Sequence, residues 1–382
     1  MPRRAKIPLK TPPKLPLAPL ALALAALLAS PAAASADIRV MVVGPMTGPY
    51  QALGKQIRSG VETAVDALNA TGGIDGERIR VDVEDDACKA DNALAAANRA
   101  IGRGDALVVG HVCVESALAA APVYVEHGLL AITPAVTADR YTDSRPGPTL
   151  FRLAARDDAQ GATAGAFLAE RFGGQRIAIL NDGSPYGKPL AETTKRAMNE
   201  AGKREARADG YDPGAKDYAS LAERLIADAI DVAFVGGDQG DVALILKALR
   251  AGGSEAIVVG GDALATSEFA ASAGPAANGT LLTFFTDWRR GGDADGVTAS
   301  LRTAGVEPQG YVLPAYAAVQ LWAAGRRASG ASEGAVLAST LSGTTTPTVL
   351  GTIGFDPKGD AEIQGFSIFR WQDGALVPDA RD

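Results

Sequence analysis

Ile38-Arg-Val-Met-Val-Val-Gly44 (IRVMVVG) is β-branched and apolar almost throughout, and Ile57, Val61, Ala64, Val65 and Leu68 follow it at helical spacing. A strand apolar on both sides needs cover on both faces, the situation of a parallel sheet sandwiched between helices. Asn69-Ala-Thr-Gly-Gly73 then supplies residues that tolerate left-handed geometry and stop a helix. Strand, turn and amphipathic helix together form one unit.

The unit recurs along the chain. Strands are predicted at 79–83, 106–110 and 129–133, with helices at 92–101 and 115–126 between them. After Phe151-Arg-Leu-Ala-Ala155 a second series begins, with helices at 159–171, 188–201, 218–229 (behind a capping Asp217) and 242–251, and strands at 176–180, 231–236, 256–259 and 280–284. This pattern predicts an α/β fold of two doubly wound parallel-sheet lobes. A helix at 314–327 is expected to return to the first lobe, and 351–356 and 366–371 to form short closing strands. In such sheets ligands bind beyond the carboxyl ends of the strands. The loops of interest therefore follow Val43, Asp85, Val112, Thr133, Leu180, Gly236 and Gly260.

Residues 1–36 have the pattern of an export signal: Arg3, Arg4, Lys6, Lys10 and Lys14, an apolar stretch at 17–28, and the small-residue site Ala34-Ser35-Ala36. The expected mature chain starts at Asp37 and lies in a bacterial periplasm, with no cysteine placed for a lipid anchor. Removing the five basic residues of the signal from the total of 37 leaves 32 Lys+Arg against 44 Asp+Glu, a formal charge of −12. That sign argues against nucleic acid or anionic membrane as a partner.

The two cysteines, Cys88 and Cys113, are expected to pair as a disulfide in an oxidising compartment. A metal site is a poor rival, because His111 and His127 are the only histidines and a four-ligand set would consume every candidate. His111 is read as an ordinary half-buried histidine at a strand end, and Asp86 as a turn or cap residue. Nucleotide and hydrolase signatures are missing from the sequence: neither GxxxxGK[ST] nor GxGxxG after a strand occurs, and no GxSxG elbow joins a predicted strand to a helix. No catalytic residue and no cofactor are expected. Small polar groups and isolated acids remain at the strand ends. The start of the helix at Val114 offers free N–H groups to a ligand carboxylate, Ala135-Val-Thr137 a carbonyl and a hydroxyl, and Asp262 a partner for an ammonium. That combination suits an α-amino acid. Thr137 serves equally well as a turn cap and Asp262 as a helix cap, so each residue alone leaves both readings open.

From Ile38 through Pro49 (IRVMVVGPMTGP), Asn69–Gly76 (NATGGIDG), Asp85-Asp-Ala-Cys88, Gly110-His-Val-Cys113, Ile132-Thr-Pro-Ala-Val-Thr137, Tyr186-Gly187, the segment from Lys216 to Leu225, the Tyr316 helix and Phe355-Asp-Pro-Lys-Gly-Asp360, the chain resembles the leucine/isoleucine/valine-binding proteins of branched-chain amino acid ABC transporters. The resemblance implies a type I periplasmic binding fold with a three-crossover hinge, lobe 1 being residues 37–154 with 286–361 and lobe 2 residues 155–285 with 362–382. It implies a non-enzymatic, monomeric receptor that hands a small ligand to an inner-membrane permease. It also implies a Cys88–Cys113 disulfide and a ligand set of Cys113, Val114, Ala135, Thr137, Tyr186, Asp238 and Asp262. Departures are expected to alter the ligand. Val114 stands where a serine is usual, Asp238 where an aromatic residue is common and Leu53 where a tyrosine often lies, which predicts a cleft less aromatic and more acidic than usual. A small branched-chain, aliphatic or polar amino acid, or a cationic relative, is the first expectation. A receptor for another amine, amide or carboxylate, a sensory receptor and an exported enzyme are the alternatives.

Overall fold

The computed structural model describes residues 1, 2, 5, 8–11, 37–285, 294–362 and 365–379. The apolar stretch and cleavage site of the expected signal lie outside the described residues. The first strand, β1 (Ile38–Gly44), sends Val40 and Val42 into a core shared with α1 (Gln51–Ala70). Met41 and Val43 face the opposite way, among the alanines of α2 (Ala90–Arg103) and α3 (Val114–Glu126). All four side chains are buried. Each such burial contributes roughly 1.5–3 kcal/mol relative to exposure, which is why the strand carries no polar face.

Strands β2 (Ile79–Asp85), β3 (Leu107–Val109), β4 (Ala131–Thr133) and β5 (Leu150–Arg152) join β1 in a parallel sheet ordered β2-β1-β3-β4-β5. A single turn, α4 (Arg140–Asp143), lies between β4 and β5. α1 stops as its sequence predicts: the Gly73 N–H bonds back to Leu68, and at φ +79 a side chain at Gly73 would collide with the Glu77 carbonyl.

The chain then passes to a second sheet through α5 (Asp157–Phe172). β6 (Ile177–Asn181), β7 (Arg207–Gly210), β8 (Val232–Gly236), β9 (Ile257–Gly260) and β10 (Leu281–Phe285) run parallel in the order β7-β6-β8-β9-β10. α5 and α6 (Gly187–Glu200) cover one face; α7 (Ala219–Ala227) and α8 (Gln239–Ala251) cover the other. The short α9 (Ser267–Ala273) packs on α8, and α10 (Ala294–Thr303) follows β10 beyond a segment outside the described residues.

α11 (Val312–Ser329) returns to the first sheet, packing on α1, β3 and β4. Gly60 permits that approach, since a Cβ there would sit 2.2 Å from the Val312 carbonyl oxygen. α12 (Gly334–Gly343) packs on α11, and β11 (Thr346–Thr348) with β12 (Gly351–Ile353) forms a hairpin. β13 (Phe366–Gln372) and β14 (Ala375–Pro378) extend the second sheet antiparallel beyond β10. β13 is the closing strand expected at 366–371.

Candidate functional site

The carboxyl ends of the two sheets face one another across a cavity of about 150 Å³. Six of the seven loops singled out from sequence reach it, contributing Tyr50 and Leu53, Cys88, Val112 to Glu115, Ala135 and Thr137, Ser184 to Tyr186, and Asp262 with Ala263. Tyr311, at the start of α11, completes the lining.

On the first-sheet side, α3 opens directly onto the cavity. Cys113 is its N-cap residue, and no side chain caps the helix. The backbone N–H groups of Val114, Glu115 and Ser116 have no hydrogen-bond partner among the described residues. They form a donor set suited to an anion, reinforced by the helix dipole. This end is braced from behind. A disulfide ties Cys113 to Cys88 in the loop after β2, with Cα atoms 5.3 Å apart. Asp86 accepts from the Cys88 N–H at 2.9 Å and lies 2.6 Å from His111 Nδ1, while His111 Nε2 meets the Tyr124 hydroxyl at 3.0 Å. His111 is therefore fully buried within a hydrogen-bonded chain rather than half-buried at a strand end, and Asp86 is both a turn residue and its partner. Thr133 links this loop to the next: its hydroxyl donates to the His111 carbonyl at 2.8 Å and accepts from the Val136 N–H at 3.1 Å.

The loop after β4 presents Ala135 and Thr137. Its carbonyls at Thr137 and Ala138 are drawn away from the cavity by the buried Arg152 guanidinium, at 2.9 and 2.7 Å. The Ala135 carbonyl accepts no hydrogen bond from any described residue. Behind the loop, burial pushes Asp157 up to about 7, opposed by its hydrogen bond with the Thr137 side chain.

Across the cavity, Asp262 begins a turn of 3₁₀ helix after β9 and is only 2% exposed. Its Oδ1 accepts from the Tyr186 hydroxyl at 2.7 Å and Gln160 Nε2 at 2.8 Å, and its Oδ2 accepts from the Tyr311 hydroxyl. Burial, and then the Asp262 charge, hold both phenols well above their ordinary range, so they remain neutral donors. No Lys, Arg or His forms an ion pair with Asp262 among the described residues. A buried charge held only by neutral donors is costly unless a cation arrives to meet it.

Six of the seven sequence-proposed residues thus line one cavity: Cys113, Val114, Ala135, Thr137, Tyr186 and Asp262. Asp238 does not. Its Oδ1 caps α8 by accepting from the N–H groups of Gly240 and Asp241, and burial together with the Asp241 carboxylate pushes it up to about 6. Asp238 therefore adds no acid to the lining, where Glu115 and Asp262 are the acidic residues and Tyr50, Tyr186 and Tyr311 the aromatic ones. Tyr50 precedes Leu53 by one helical turn, so the aromatic surface comes from a neighbouring position. Tyr311 was not legible from sequence, since nothing local distinguishes it from any tyrosine at a helix start. Among the described residues no cluster of acids, cysteines and histidines is arranged to hold a metal, and no helix is long and apolar enough to cross a membrane.

Comparison with known proteins agrees with this geometry. Leu/Ile/Val-binding protein homolog 1 of Brucella suis is 36% identical over 354 residues, covering 92% of this chain and 95% of the relative. Among solved structures, the branched-chain amino acid transporter substrate-binding protein LivJ of Streptococcus pneumoniae, in complex with isoleucine, superposes with a TM-score of 0.82 at 23% identity, covering 89% of this chain and 97% of that one. A solute-binding protein of an ABC transporter from R. palustris, in complex with benzoate, gives a TM-score of 0.80 at 20% identity over 90% and 95% of the two chains. These two likenesses concern the fold alone, and their ligands differ. The family profile described as periplasmic binding protein matches residues 37–375, and with two such lobes closing on a small cavity the chain belongs to the periplasmic binding protein family.

Proposed function

We propose that this protein captures a small α-amino acid with an apolar side chain between its lobes and delivers it to the membrane permease of an ABC importer. The observation that carries the reading is the buried Asp262, with no cationic partner among the described residues, sharing one cavity with N–H groups at the start of α3 that no described residue accepts from. An ammonium on Asp262 and the Ala135 carbonyl, with a carboxylate on the α3 donors, satisfies both ends of a zwitterion. Leu53, Val112, Val114 and Pro185 surround the remaining space with apolar surface. A cavity of about 150 Å³ is smaller than the roughly 300–1,000 Å³ of sites for drug-sized ligands, which favours a molecule of amino-acid size. The chain's similarity to Leu/Ile/Val-binding protein homologues supports the same choice.

The lobes, residues 37–154 with 286–361 and 155–285 with 362–382, move about the three crossovers, and residues 1–36 direct export to the periplasm before removal. The protein acts as a monomer and catalyses no reaction. Calorimetry with leucine, isoleucine and valine, set against 4-methylpentanoate (leucine without its amine) and 3-methylbutylamine (leucine without its carboxylate), tests the reading. Both truncated ligands are expected to bind far more weakly than leucine; tight binding of 4-methylpentanoate refutes the role of Asp262.

A further inference from the structure

Gln56 lies on α1, only 6% exposed and outside the cavity lining, yet its amide joins segments on opposite sides of the cleft. Nε2 donates to the Ala265 carbonyl at 3.2 Å, and Oε1 accepts from the Tyr311 backbone N–H at 3.0 Å. Ala265 closes the turn that carries Asp262, on the second-sheet side. Tyr311 opens α11, on the first-sheet side, and its hydroxyl donates to Asp262. The backbone makes room for this amide: Gly310 sits at φ +52, and a Cβ there would lie 2.1 Å from Gln56 Oε1. A second side-chain bond runs the same way, from Gln309 Nε2 to Ser267 Oγ at 3.0 Å.

Both ends of the Gln56 amide are satisfied only while the two sides meet. Opening the cleft removes the Ala265 acceptor, so this bond belongs to the closed arrangement alone. We propose that Gln56 is a positioning residue. It clamps the Asp262 turn to the start of α11, holds the Tyr311 hydroxyl on Asp262, and biases the protein toward closure without touching the ligand. The proposal rests on the reading that Asp262 receives the ligand's ammonium. One neutral hydrogen bond corresponds to a roughly 2- to 13-fold change in the closed-to-open ratio, and apparent affinity follows that population.

Gln56→Met keeps the side chain's length and removes both hydrogen-bonding ends. In small-angle scattering the unliganded variant is expected to show a larger radius of gyration than the wild type. In stopped-flow experiments leucine is expected to dissociate roughly 2- to 13-fold faster while associating within twofold of the wild-type rate. The preference for leucine over 4-methylpentanoate should narrow, which a merely structural role would not cause. Gln309→Ala, at a half-buried position, should shift scattering and dissociation in the same direction by less. Unchanged scattering in Gln56→Met overturns the proposal, as does unchanged dissociation. If the wild type binds no amino acid, the ligand reading fails by itself, and the scattering comparison of the unliganded proteins still decides the role of Gln56.

Discussion

Replacing Asp262 by Asn changes one charge and almost no volume, at a site where three donors already converge. Tyr186, Gln160 and Tyr311 all point hydrogens at the carboxylate, so the Asn amide oxygen can retain some of these bonds while its NH₂ faces a donor. In the unliganded protein the opposing effects are an unsatisfied donor, costing about 1–3 kcal/mol, and relief of an uncompensated buried charge. Net stability is therefore expected to change little. Binding has no such offset. A hydrogen bond to a charged group is worth roughly 1.5–3 kcal/mol, and every 1.4 kcal/mol is a factor of ten, so leucine affinity should fall about 10- to 150-fold. Calorimetry on wild type and Asp262→Asn, each with leucine and with 4-methylpentanoate, closes a cycle in which protein charge and ligand amine are removed separately and together. Removing the charge should cost little once the amine is gone. Equal losses for both ligands would refute the assignment, because the two charges would then be uncoupled.

Other expectations follow from the same structure. Reduction, or Cys88→Ser, should destabilise the protein by about 3.5 kcal/mol on the chain-entropy view of a loop of this length, measured by urea unfolding with and without reductant; superimposable curves would remove the bracing role of the bond. Val114→Ser returns a hydroxyl to the cavity wall beside the free N–H groups of α3 and should tighten leucine binding by up to about 100-fold; weaker or unchanged binding would place the carboxylate elsewhere. Asp360→Ala leaves Arg152 buried without its anion, since Nε of that arginine lies 2.8 Å from Asp360 Oδ1, and should cost about 3–5 kcal/mol in urea unfolding. For pH, burial raises Asp157 to about 7 and Asp105 to about 6, against about 3.9 in the unfolded chain. A raised carboxylate contributes stability that is complete below the unfolded value and lost as pH rises through the folded one. Asp157→Asn should therefore unfold at higher urea than wild type at pH 8 and at a similar concentration at pH 4; a pH-independent difference contradicts the raised value.

The doubly wound layers were legible because burial on both faces writes itself into single strands. Val40 to Val43 are apolar in every direction, and α1 carries its stripe at regular spacing up to Gly73. β7, Arg207–Gly210, escaped because an edge strand with alternate residues exposed needs no apolar run. β14 and α12 were missed as well; their sequences, Ala-Leu-Val-Pro and Gly-Ala-Val-Leu-Ala-Ser-Thr-Leu-Ser-Gly, are short and carry no capping signal. At the site, strand-end position identified Val114, Ala135, Thr137 and Asp262, because carboxyl-end loops of parallel strands converge whatever their composition.

By itself, then, the order of residues determined the buried strands and the helices that cover them, which ends of those strands gather loops, and the pairing of the two cysteines. Only the tertiary structure decided that Asp238 caps α8 while Asp262 looks into the cleft, that His111 is locked between Asp86 and Tyr124, and that Tyr311 and Gln56 reach across to the Asp262 turn. The reason is range. Strand and helix patterns repeat within a few residues and are visible one segment at a time. The partners of a buried polar group are chosen by which distant segments packing brings within 3 Å.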